Sequence, residues 1–75
     1  MTKLPIISGK KAVKCFEKLG YGVTRQRGSH IRMWHKFDKT KKPLTIPNHK
    51  VLGKGLLRKL LRDAEISVED FCSLL

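Results

Sequence analysis

The residues best suited to chemistry lie in one short stretch, RQRGSHIRM. Here Arg25, Arg27 and Arg32 flank a Gly28-Ser29 pair and His30. A histidine transfers protons near neutral pH, and guanidinium groups hold and stabilise anions. An anionic substrate that needs proton transfer is therefore implied. RNA fits, because it carries its own nucleophile in the 2′-hydroxyl. A protein need only accept that proton, assist the departing 5′-oxygen and steady the charge on phosphorus. Neither a metal nor a deep pocket is required. A second reading stays open, in which His30 opens a strand and hydrogen-bonds a phosphate or a base without catalysis. Backbone N–H groups around Gly28 and Ser29 could approach a phosphate closely in either case.

Other chemistries lose support on spacing. His30, His35 and His49 have no nearby cysteine or carboxylate at ligand spacing, so no metal site and no cofactor are expected. Ser29 and His30 are neighbours whose side chains diverge on an extended backbone, and a third triad member is missing. Cys15 and Cys72 stand among apolar neighbours and read as packed thiols. His35 shares strand parity with Ile31 and Met33 and reads as a packed or hydrogen-bonded ring. His49, in PNHK, suits a phosphate contact or a loop-bracing hydrogen bond equally. Trp34 could stack a base, anchor a partner protein or cover a neighbouring strand. Lys50, Lys54 and Arg58 are candidate phosphate contacts, and Lys54, Arg58 and Arg62 recur every four residues along a helix side.

These residues must be positioned by a small scaffold. With 75 residues a single domain spanning 1–75 is expected, burying roughly 60% of the unfolded surface. Ser8 is a candidate N-cap. After it Ala12, Cys15, Phe16 and Leu19 fall on one helical stripe, ended by Gly20. Two strand-like runs follow, Tyr21 to Arg27 and His30 to Phe37, with Gly28-Ser29 as a two-residue hairpin turn. In the second run Ile31, Met33, His35 and Phe37 should face the core, and His30, Arg32, Trp34 and Lys36 the open side. Leu44 to Ile46 reads as a third strand stopped by Pro47, at an edge or a strand end. Asn48 to Gly55 is expected to be a loop. Leu57, Leu60, Leu61 and Ala64 mark a second helix. Ser67 starts a short last helix, with Asp70 as its capping partner. The order helix, three antiparallel strands, helix and short helix defines a two-layer α+β domain with one sheet face left open.

The charge sharpens the partner. Seventeen Lys and Arg oppose six Asp and Glu, a net +11. Four of those acids, Asp63, Glu65, Glu69 and Asp70, fall near the C-terminal end. The middle of the chain is thus a basic surface suited to nucleic acid. No apolar run is long enough to cross a membrane, and a reduced cytoplasmic setting is expected.

The sequence resembles the HicA toxins. The likeness rests on SGKKAVKCFEKLGY, RQRGSH, TIPNH and KGLLRKLLRDAEISVEDF in this order and spacing. The resemblance implies a double-stranded-RNA-binding-domain-like fold and ribosome-independent cleavage of mRNA, a single-stranded RNA substrate. It implies that the histidine after Gly-Ser, here His30, is catalytic. It also implies a HicB-like antitoxin partner that covers His30. One departure is Glu65, where many relatives carry glycine after the second helix.

Overall fold

A computed structural model describes residues 3–75. The elements are α1 (Gly9–Lys18), β1 (Tyr21–Arg27), β2 (His30–His35), β3 (Leu44–Pro47), α2 (Lys54–Asp63) and α3 (Val68–Cys72). The strands form one antiparallel sheet in the order β1-β2-β3. α1 packs behind β1 and β3, and α2 lies against β3. This is the expected two-layer α+β architecture, with the double-stranded-RNA-binding-domain-like order of elements.

Each helix begins and ends for identifiable reasons. The Ser8 hydroxyl accepts the Lys11 N–H at 3.1 Å, satisfying an orphan donor of α1. The Ser67 hydroxyl does the same for Asp70 N–H at 3.0 Å. α2 instead has Gly53 as its N-cap, with no side-chain bond, and it starts at Lys54. Gly55 is therefore helical rather than part of the expected loop. α2 closes in a Schellman motif, with Ile66 N–H donating to Leu61 at 3.0 Å and Glu65 N–H to Arg62 at 3.1 Å. Glu65 takes φ +57 there, a left-handed conformation that glycine adopts without strain. Glu65 keeps a compensating contact, an ion pair with Lys41.

The apolar stripes meet behind the sheet. Ala12, Cys15 and Phe16 from α1 pack with Ile31 and Met33 from β2, Leu44 and Ile46 from β3, and Leu57, Leu60 and Leu61 from α2. Burial pushes the Cys15 thiol above its ordinary value, in keeping with a packed role. Phe16 is the hub, edge-on to Tyr21 at 5.9 Å and tilted against Phe71 at 5.2 Å. Strand alternation holds along β2 until His35. Phe37, expected on the core face, is 83% exposed. The ladder stops before it. Lys36 N–H turns to the Gly20 carbonyl, and Phe37 N–H turns to the His35 ring.

Tyr21 is 2% exposed, and its hydroxyl has no hydrogen-bond partner among the described residues. Burial also pushes the phenol above its ordinary value. An unpartnered buried hydroxyl costs free energy that a phenyl ring does not. Tyr21→Phe is therefore expected to raise stability by about 1 kcal/mol, which is a rise of about 4–8 °C in the melting temperature of a domain this size. A thermal melt checks this, and a lower midpoint would show that the hydroxyl is satisfied in solution.

Candidate active site

The site is built on the hairpin between β1 and β2. Arg27 and His30 face each other across a two-residue turn. Gly28 takes φ +54, and Ser29 is not among the residues of positive φ. A positive φ at the first central residue alone is the backbone pattern of a type II′ turn. A Cβ on Gly28 would meet nothing within 4 Å, so conformation rather than space demands glycine. The Ser29 carbonyl accepts Asn48 N–H at 2.6 Å, which ties the turn to the exit of β3.

A bulge aims the arginines. Tyr21 and Val23 pair with His35 and Met33 on the core-facing side. Strict alternation from Tyr21 would put Arg25 and Arg27 on that same side. The register shifts between Val23 and Arg25, so Arg25 instead pairs with Arg32 and Arg27 with His30. Thr24 is the extra residue, and its hydroxyl donates to the Arg32 carbonyl at 3.3 Å. The bulge thus turns both arginines onto the open face with His30.

A shallow depression on that face is lined by Arg25, Arg27, His30, Arg32 and Thr45. The expected cluster is therefore brought together. Arg32 is held in place: Nη1 donates to the Thr45 hydroxyl at 3.0 Å, and the guanidinium lies 5.8 Å from the Trp34 ring centroid. Among the described residues the ion pairs are Lys41–Glu65, Lys42–Asp63 and Lys59–Asp63. Among the described residues no carboxylate pairs with the three arginines, so their charge is available to an anion. His30 is exposed, and its ring forms no hydrogen bond among the described residues.

The other candidates are spread more widely. Trp34 stands on the open face opposite Gly22, 47% exposed. Lys50 borders a separate depression with Ser8, Lys10, Asn48 and His49, at the start of α1. The His49 carbonyl, not its ring, braces the loop by accepting Gly9 N–H at 2.9 Å. Lys54 and Arg58 sit on the side of α2 roughly opposite the residues that line the groove beside β3, Leu56, Lys59 and Asp63. None of Lys50, Lys54 and Arg58 lines either of the hollows that His30 lines. In their place stand Thr45 and Lys59. Thr45 alternates with Leu44 and Ile46, and period-two reasoning could have found it. Lys59 depends on how α2 lies along β3, for which the sequence carries no signal. No group of three or more His, Cys, Asp or Glu side chains able to hold a metal ion occurs among the described residues. No helix there is long and apolar enough to cross a membrane.

His35 has a structural role. Its Nδ1 accepts the N–H groups of Asp38 at 2.8 Å and Phe37 at 3.2 Å. The proton must then sit on Nε2, which donates to the Leu19 carbonyl at 3.0 Å. The approach is tight, since a Cβ on Gly20 would lie 2.7 Å from Nε2. His35→Ala is expected to cost about 1–3 kcal/mol in a denaturant titration, because it strands three backbone groups. A loss under about 0.5 kcal/mol would mean that water replaces the ring.

These features define a class: a small, basic two-layer α+β domain with a histidine on an open, cationic sheet face. The family model described as the HicA toxin of bacterial toxin-antitoxin systems matches residues 9–66 of the 75. The chain belongs to the HicA toxin family. Comparison with curated proteins and with solved structures gave no match.

Proposed function

We propose that this chain is a metal-independent endoribonuclease that cleaves mRNA, with His30 transferring the proton. The carrying observation is the meeting of His30 with Arg25, Arg27 and Arg32 in one depression free of carboxylates. A phosphodiester held there places its charge on the three guanidinium groups. His30 accepts the 2′-hydroxyl proton while that oxygen attacks phosphorus. The bond to the 5′-oxygen breaks, and water supplies the leaving group's proton. The products are a 2′,3′-cyclic phosphate and a 5′-hydroxyl. Cleavage should therefore persist in EDTA and stop when the nucleotide at the cut carries a 2′-deoxy sugar. Loss of activity in EDTA would exclude this chemistry.

A second reading is a module that grips RNA without cutting it. It is favoured by one observation: no second side chain with ordinary acid–base function lines the depression. Intact RNA after long incubation, with affinity falling as salt rises, would support it.

Membership of a toxin family supports a neutralising partner. A HicB-like antitoxin with an acidic surface, docking over Trp34 and the arginines, would cover His30. Chemical acylation of the His30 ring should then slow in the complex. An unchanged rate would rule out direct occlusion.

A further inference from the structure

The geometry points to a nucleobase-binding groove beside His30, with Asp63 as the residue that selects the base. This inference rests on the reading of His30 as the residue at the reacting phosphate. Two hollows share one ridge. His30, Arg32 and Thr45 line both the arginine depression and a larger groove between the sheet and α2. That groove has a volume of about 380 Å³. It is at the small end of ordinary ligand clefts, about 300–1,000 Å³.

The two hollows differ in chemistry. The first is cationic and suits a phosphate. The second presents Pro43, Pro47, Leu56 and Leu60, an apolar lining suited to the face of a base. Its one anionic group is Asp63, a carboxylate that would repel phosphate. Asp63 is held rather than free. Its oxygens lie 3.1 Å from Lys59 Nζ and 4.0 Å from Lys42 Nζ, and its side chain is 12% exposed. An ionised carboxylate offers about four acceptor positions, and two ammonium groups leave some of them open.

A strand crossing the ridge would set its phosphate among the arginines and an adjoining base in the groove. An acceptor at the groove wall selects bases with N–H donors. Guanine offers two adjacent donors on its pairing edge, N1–H and the 2-amino group. Uracil, cytosine and adenine each offer one donor position beside acceptors. Guanine is therefore the preferred occupant.

Binding of uncuttable strands tests this apart from catalysis. Fluorescent 2′-O-methyl hexanucleotides lack the attacking hydroxyl, so affinity can be read by anisotropy. In the wild-type chain, removing the base at one particular position should weaken binding about tenfold. Guanine at that position should bind tightest. Leu56→Ala should weaken the intact strand by a similar factor and leave the abasic strand unaffected, which also reports that the variant is folded. Asp63→Asn should reduce the guanine strand to the level of the adenine strand. Equal binding of all abasic strands, or equal weakening of intact and abasic strands by Leu56→Ala, would overturn the groove. A guanine preference retained in Asp63→Asn would overturn the role of Asp63. Cleavage of ordinary RNA reports on His30 independently, so either reading can fail alone.

Discussion

Substituting His30 by alanine is expected to slow RNA cleavage by about 10²–10⁴-fold, the range for losing a positioned acid–base group. Fold and RNA affinity should be nearly unaffected. The ring is exposed and makes no hydrogen bond among the described residues, so its removal strands no partner. Stability should move by no more than about 0.5 kcal/mol. In the proposed mechanism the charge that holds the phosphate comes from Arg25, Arg27 and Arg32, which the substitution leaves in place. Single-turnover cleavage, a thermal melt and an RNA titration on the same preparation separate the three effects. Equal rates for both proteins would remove His30 from the mechanism. A slow variant that also binds RNA poorly would make His30 a binding group instead.

Replacing Phe71 by alanine is expected to cost about 3–5 kcal/mol, the range for emptying a large aromatic site in a core. A domain of this size holds only about 4–11 kcal/mol in total, so the substitution should remove a large share of the stability. Phe71 lies outside the matched family span of residues 9–66, yet it is 0% exposed. Its ring packs 5.2 Å from Phe16, the hub of the core. The segment after it is also tied down, since the Leu74 carbonyl accepts Lys18 Nζ at 2.7 Å. α3 is thus part of the core rather than an appendage. Denaturant titration of Phe71→Ala measures the cost. A loss below about 1 kcal/mol would mean that the core closes without it.

Much of the frame was readable because helical and strand periodicities differ. The apolar positions of α1 and α2 recur with a period near 3.6, and those of β2 and β3 alternate. Ser8, Ser67 and Gly28 then marked the ends and the turn through local backbone chemistry. The reading failed where a distant contact decided the local path. Phe37 continued the alternation on paper, but the chain turns to the Gly20 carbonyl and the His35 ring first. Gly55 looked like a loop residue, but the leucines beyond it are buried against the sheet, and that packing carries the helix back to Lys54.

The histidine among arginines, and the hairpin that gathers them, were determined by the sequence alone. Residue type sets the chemistry, and a two-residue turn sets which residues face each other. Tertiary structure decided the aim and the surroundings. The Thr24 bulge puts Arg25 and Arg27 on the open face, a register choice made by pairing with β2. The seating of α2 against β3 brings Leu56, Lys59 and Asp63 into the groove that His30 also lines, and leaves Lys54 and Arg58 outside it. Such placements follow from how whole elements pack. No local spacing encodes them.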